Sequence, residues 1–180
     1  MSDASDTRSV MRVSASVRRA VVADAPALAQ LVNRAYSIEA FFVEGDRTDA
    51  AEIAQMMTAG TFLVLDHADA AQGLAAAVYV TVDNDGAQGY FGMLAVGPGL
   101  QGQGIGKRMV RIAEALAESA GCTRMTMKIV NLREELGRWY RSLGYRETGT
   151  TPYVVHRPVK RSCHFVDMAR PLGAPVVLAA

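Results

Sequence analysis

The stretch Val96–Arg108 reads VGPGLQGQGIGKR. It sets glycines at 97, 99, 102, 104 and 106 directly before an amphipathic segment with no further glycine until Gly121. Glycine costs roughly 1 kcal/mol relative to alanine in ordered structure, so such a run implies that bare backbone approaches something closely. Upstream, Gln88–Val96 reads as a strand; downstream, Ile105, Met109, Ile112 and Leu116 recur at helical spacing. A strand, a glycine turn and a helix in that order make an anion site, because the first N–H groups of a helix lack partners and carry the positive end of its dipole. Phosphate is the ligand such a turn fits.

The remaining chain supplies a mixed sheet around that turn. Val17–Val21 reads as a strand, and Asp24 caps a helix whose Leu28, Leu31, Val32 and Ala35 share a face. A loop around Gly45 leads to Asp49 and Glu52, a capping pair for a helix carrying Ile53, Met56 and Met57 and closed by Gly60. Thr61–Leu65, Leu74–Val82 and Gln88–Val96 form an antiparallel meander, with the turn DNDG at Asp83–Gly86 joining the last two. Beyond the glycine-led helix, Thr123–Val130 is a strand with Met125, Met127 and Ile129 inward. A helix with Leu132, Leu136, Trp139, Tyr140 and Leu143 stops at Gly144, and Cys163–Met168 is a final strand. The fold class is α/β, a mixed sheet with helices on its faces. Residues 1–16 and 173–180 read as tails and 17–172 as one domain; a 180-residue chain buries roughly 70% of its unfolded surface without disulfides.

Composition narrows the function. Nineteen Lys and Arg against 18 Asp and Glu leave no field to collect nucleic acid or an anionic membrane, so any anion affinity is local. Cys122 and Cys163 have no metal-like spacing, and the N-terminus is polar, which together predict a cytoplasmic chain with no metal. No apolar run approaches the roughly 18 residues of a membrane span. His164 beside Cys163 fits strand alternation, His67 and His156 stand in loops, and His156–Arg161 (HRPVKR) reads as an exposed basic loop.

Three phosphate-binding patterns can be compared at the glycine turn. A Walker A loop requires glycine where Gln101 stands and Ser or Thr where Arg108 stands. A dinucleotide fingerprint anchored on Gly102 and Gly104 meets Lys107 where a small residue is required, and follows a meander instead of a βαβ unit. The third pattern, Gln-Gly-x-Gly-x-Gly over Gln101–Gly106 after a strand and a proline, resembles the acyl-CoA-binding signature of the GNAT superfamily of N-acyltransferases. GMLAV at Gly92–Val96 is similar to that family's fourth strand. Asn131–Tyr145 (NLREELGRWYRSLGY) is similar to its closing motif, so the resemblance runs from about Val17 to Met168.

The resemblance implies a GNAT-like fold: a twisted, splayed, mostly antiparallel sheet flanked by helices. It also implies transfer of an acetyl or other acyl group from acetyl-CoA, as co-substrate, to a primary amine of a small molecule or peptide. Homodimers are common in the family. Carried onto this sequence, coenzyme binding falls to Leu94, Ala95 and Val96, to Gln101, Gly102, Gln103, Gly104, Ile105, Gly106 and Lys107, and to Asn131 and Tyr140. The N–H groups from Gln103 to Lys107 face a pyrophosphate; Lys107 and Arg108 either add attraction or are solvated first-turn charges. Pro98, unable to donate to a ladder, is read as releasing the strand from its neighbour so that the pantetheine arm enters.

The chemistry needs a proton removed first, since an alkyl ammonium of pKa about 10 is only about one part in a thousand neutral at pH 7. Attack on the thioester then builds an oxyanion, which a strand N–H near Leu94–Val96 can stabilise, and expels a thiolate. By resemblance Tyr140 protonates that thiolate; the alternative is an aromatic that only packs, among Leu136, Trp139 and Leu143. Residues Tyr90–Leu94 hold no carboxylate, although some relatives place a glutamate on this strand, so a water relay or a distant acid is implied. Glu39, Glu44 and Asp46 either hold the ammonium or form a solvated acidic loop. With Phe41, Phe42 and Tyr90 they make up the expected acceptor side; either one of the two phenylalanines enters the core while the other faces a pocket, or both pack in the core. The missing strand carboxylate leaves a second reading open, a non-catalytic acyl-CoA sensor on the same scaffold.

Overall fold

The computed structural model describes residues 16–83, 87–154 and 157–173. Its seven strands are β1 (Val17–Arg19), β2 (Thr61–Asp66), β3 (Leu74–Val82), β4 (Gln88–Val96), β5 (Arg124–Val130), β6 (Arg146–Pro152) and β7 (His164–Pro171). The helices are α1 (Ala25–Tyr36), α2 (Ala50–Met56), α3 (Ile105–Ser119) and α4 (Glu134–Ser142). One sheet runs β1-β2-β3-β4-β5-β7-β6, antiparallel throughout except where β5 lies parallel to β4. The antiparallel meander read from the sequence is therefore present, with helices on each side of it. Of the turn at Asp83–Gly86, residues 84–86 lie outside the described residues, as do 1–15 and 174–180 of the two tails and His156.

Each face of the sheet carries its own apolar layer. Against α1 and α2 pack Phe62, Val64, Ala77, Tyr79, Met93 and Ala95; against α3 and α4 pack Leu63, Leu65, Ala76, Val78, Val80 and Phe91, with Met125 and Met127. This division matters for the site, because a ligand reaching both sets of helices has to pass through the sheet.

Several local readings are corrected by the structure. Asp24 occupies the N-cap position of α1 without capping it; its carboxylate takes hydrogen bonds from Arg18 (2.8 Å) and the Val21 N–H (2.8 Å) instead. Asp49 does cap α2, accepting from the Glu52 N–H at 2.8 Å. On α3 the buried stripe is Ile105, Met109, Val110, Ala113 and Ala117, with Ile112 and Leu116 on its flank, because small alanines let the helix lie close to β3 and β4. The sequence pattern offers no strand at β6. Its residues RETGTTP are almost wholly exposed and carry no alternation, and the antiparallel pairing with β7 alone makes them a strand.

A charged cluster fastens α3 to the far end of the sheet. The carboxylate of Glu114, buried on α3, accepts hydrogen bonds from Tyr145 Oη (2.8 Å), Arg170 Nη1 (2.9 Å) and Arg111 Nη1 (3.0 Å). Burial and that neighbouring carboxylate push the Tyr145 phenol far above its usual range. A buried carboxylate is tolerated when its lone pairs are filled in this way, and the filled set holds α3, Tyr145 and β7 in one arrangement.

Candidate active site

The site begins with a fault in β4. Ala95 pairs with Ala77 and Gly92 with Tyr79, so Met93 and Leu94 together oppose Val78, and Met93 takes φ +46°. An extra residue in one strand bends it and reverses which face its side chains take. Phe91 accordingly joins the α3 and α4 layer while Met93 and Ala95 join the α1 and α2 layer. On its other edge β4 pairs with β5 only over Gln88–Tyr90 against Arg124–Thr126, and beyond that the strands part. Gly97 still donates to Ala75 O at 2.9 Å. The separation thus starts several residues before Pro98 and beside the bulge, so proline is not its cause; Pro98 opens a short 3-10 turn, Pro98–Leu100.

A cavity of about 730 Å³ fills the opening. At one end it is walled by Leu94, Val96 and the glycine turn, with Leu100, Gln101, Gly102, Gly104, Gly106 and Lys107 in its lining. Gly102 (φ +77°) and Gly104 (φ +79°) hold the left-handed conformation that glycine adopts without penalty, and a side-chain carbon at either would meet nothing within 4 Å. Gln101 Nε2 donates to Val96 O (3.3 Å) and Gln103 Nε2 to Gly99 O (3.4 Å), bracing the turn from within. The first backbone bond of α3 runs from Arg108 N–H to Gly104 O (3.0 Å), so the N–H groups of Ile105, Gly106 and Lys107 precede the helical ladder. The residues present therefore suit a diphosphate: free N–H groups, a dipole end, and no side chain in the approach.

Of the remaining coenzyme residues, Ala95, Gln103, Ile105 and Asn131 are not in the lining. Ala95 and Ile105 are core residues on opposite faces. The carboxamide oxygen of Asn131 accepts the His164 N–H at 2.9 Å while the Asn131 N–H donates to His164 O, so this side chain extends the β5–β7 ladder.

Tyr140 stands in the wall of the cavity, 5% exposed, its ring against Trp139 (4.6 Å between centroids), Phe91 (5.9 Å) and Tyr145 (5.9 Å). Its hydroxyl makes no hydrogen bond with any described residue, and burial raises its pKa well above the ordinary phenol value. Packing and a free hydroxyl thus coexist at one residue. Tyr36 and Tyr90 line the same space, Tyr36 pushed up to about 12 by burial and Tyr90 raised for the same reason. All three phenols stay protonated across the physiological range and present donors to the cavity.

The opposite end belongs to the α1 side. There Glu39, 5% exposed, lies 3.6 Å from Arg133, and burial raises its carboxyl pKa against the pull of Arg47, Arg133 and Arg157. Above it, residues 42–44 pair with 158–160: Lys160 N–H donates to Phe42 O (2.8 Å), Glu44 N–H to Pro158 O (3.0 Å), and Val43 bridges Val159. Phe42 is fully buried beneath this seam with Val43 and Val130. Phe41 is 40% exposed under the Arg161 guanidinium, away from the cavity. Glu44 and Asp46 are exposed and outside the lining, Glu44 facing Lys160 at 3.9 Å. Among the acidic residues of this loop, then, Glu39 reaches the cavity and the other two do not. Arg47, Lys128, Arg133 and Tyr153 also line it, none of them singled out in the sequence, where a lone basic or aromatic loop residue carries no signal of its direction.

The acetyltransferase (GNAT) family model matches residues 26–145. None of the curated proteins matches the sequence. Among solved structures, the ribosomal-protein-S18-alanine N-acetyltransferase of Escherichia coli is similar at TM-score 0.70 and 18% identity, covering 92% of this chain and 99% of its own. A GNAT-family acetyltransferase of Streptococcus pneumoniae gives 0.67 and 17%, covering 88% and 99%. A phosphinothricin acetyltransferase of Sinorhizobium meliloti, solved in complex with acetyl-CoA, gives 0.66 and 19%, covering 91% of each chain. These likenesses bear on the fold.

Proposed function

Because the chain belongs to the acetyltransferase (GNAT) family and is thus an acyltransferase, we propose that it moves an acetyl group from acetyl-CoA to the primary amine of a small molecule or peptide, by direct attack within a ternary complex. The observation that carries this reading is one cavity whose wall holds the glycine turn, Glu39 and Tyr140 together. Bound acetyl-CoA supplies the acetyl group as an activated thioester.

The chain's own groups divide the remaining work. The N–H groups at the start of α3, with Lys107 beside them, hold the diphosphate, and Leu94 and Val96 line the way inward. Past Tyr90 β4 no longer pairs with β5, which leaves strand N–H groups on that edge to meet the negative charge that develops at the thioester oxygen. Glu39 holds the acceptor ammonium and takes its proton, its raised pKa bringing a carboxylate closer to the working pH of a base. Tyr140, protonated and without a partner among the described residues, donates its hydroxyl proton toward the departing sulfur. A carboxylate inside the cavity removes the main motive for a non-catalytic sensor, which was the lack of one on β4.

Calorimetry with acetyl-CoA and a thiol-release screen against amines test the proposal together. Micromolar binding of acetyl-CoA and turnover of at least one amine, with kcat falling about 10²-fold in Tyr140→Phe, is the expected outcome. A folded protein that takes up neither acetyl-CoA nor CoA overturns it.

A further inference from the structure

We propose that the acceptor amine carries a carboxylate, and that Arg47 is the residue that recognises it. This rests on the acetyl-transfer reading above and narrows its substrate class. Arg47 follows the loop after α1 and reaches the cavity wall, where its guanidinium carbon lies 5.7 Å from the ring centroid of Tyr36. It forms no ion pair or hydrogen bond with any described residue. The neighbouring cations are engaged: Arg133 with Glu39 (3.6 Å) and Glu135 (2.5 Å), Lys128 with Asp167 (3.5 Å), and Arg157 with Gly45 O (3.3 Å) and Tyr153 Oη (3.4 Å).

Charge balance favours an acceptor of mixed sign. Glu39 is the one carboxylate among the described lining residues; Lys128 and Arg133 have Asp167 and Glu135 as partners, which leaves Arg47 as the uncompensated charge beside it. A simple alkylammonium entering such a cleft is opposed by the uncompensated charge of Arg47. An acceptor that brings its own carboxylate is not: its ammonium meets Glu39 and its carboxylate meets the Arg47 guanidinium, whose planar fork binds a carboxylate through two hydrogen bonds. The Tyr36 ring beneath Arg47 holds that fork in place by a cation–π contact, which limits the ordering needed on binding.

Size points the same way. The cavity of about 730 Å³ must also take the thioester arm, and the loop that carries Glu39 and Arg47 to its wall is tied down by the pairing of 42–44 with 158–160. The space left beside that arm suits an acceptor of about the size of a free amino acid.

The test compares amino acids with the amines formed by removing their carboxyl group, such as lysine with cadaverine and methionine with 3-(methylthio)propylamine, alongside C-terminally amidated peptides. Thiol release from acetyl-CoA is measured with the wild type, Arg47→Gln and Arg47→Lys; calorimetry on the CoA-saturated protein measures amino-acid binding without turnover. A preference in kcat/KM of about tenfold or more for the carboxylate member is expected, collapsing in Arg47→Gln chiefly through KM and partly restored in Arg47→Lys, with amino-acid binding lost in step. Equal or better turnover of the decarboxylated amines or the amidated peptides, or an unchanged preference in Arg47→Gln, overturns this inference and leaves acetyl transfer standing. Failure of every amine, with no binding of acetyl-CoA, overturns both.

Discussion

The carboxylate of Glu39 lies 3.6 Å from the guanidinium of Arg133, an ion pair that joins the end of α1 to the loop entering α4 across the gap in the sheet. Both residues are largely withdrawn from solvent, and burial outweighs the nearby guanidiniums in raising the carboxyl pKa. A carboxyl raised on folding favours the native state most below its unfolded pKa, and that contribution is lost as pH rises through the folded value. The wild type should therefore lose stability relative to Glu39→Gln between pH 4 and pH 8, while the variant loses kcat by about 10²-fold. Urea melts at the two pH values and initial rates decide it; a variant whose relative stability falls toward pH 8 contradicts the assignment.

Two tyrosines with opposite surroundings separate chemistry from architecture. Tyr140→Phe keeps every ring contact and removes a hydroxyl that bonds no described residue, so it should fold as the wild type and lose about 10²-fold in kcat. Tyr145→Phe removes the 2.8 Å bond to buried Glu114 and should cost about 1–3 kcal/mol of stability with kcat nearly intact. Reversal of these outcomes in paired melting and rate measurements would move the catalytic hydroxyl elsewhere.

Gly104 and Gly106 differ in the same instructive way. Gly104→Ala forces a side chain into the left-handed region and should cost about 1–2 kcal/mol. In Gly106→Ala the new carbon meets Trp139 and Val96 at ordinary contact distances of 3.6 and 3.8 Å and gains helix propensity, so the protein should melt no lower. It should nevertheless bind acetyl-CoA about tenfold more weakly, a difference of about 1.4 kcal/mol, because the carbon narrows the cradle. Unchanged affinity by calorimetry would remove the diphosphate from this turn.

Glu114→Ala should destabilise the fold more than any of these substitutions. It leaves the buried Tyr145 hydroxyl and the half-buried Arg170 guanidinium without their acceptor and should cost about 3 kcal/mol in denaturant unfolding. Glu114→Gln, which retains an acceptor oxygen, should recover part of that loss; equal damage from both would assign the effect to packing alone.

Much of the scaffold was legible because its signals are local. The extent of β4, the cap at Asp49, the glycines that need positive φ and the termination of helices at Gly121 and Gly144 all follow from short-range sterics and hydrogen bonding within a few residues. β6 was not legible, since its exposed polar residues become a strand only by pairing with β7. The direction of loop side chains was no more accessible: Glu39, Glu44 and Asp46 look alike in sequence, yet only the packing of α1 against the sheet carries Glu39 into the cavity.

The amino-acid order by itself determined that a glycine turn would present unpaired N–H groups ahead of a helix, because backbone conformation there depends on the residues of the turn alone. Tertiary structure decided where β4 leaves β5, which acid reaches the cavity, and that Arg47 stands in its wall without an ion-pair partner among the described residues. Those outcomes depend on a bulge that shifts register and on which distant groups share a low-dielectric space, and neither is encoded in any one stretch of chain.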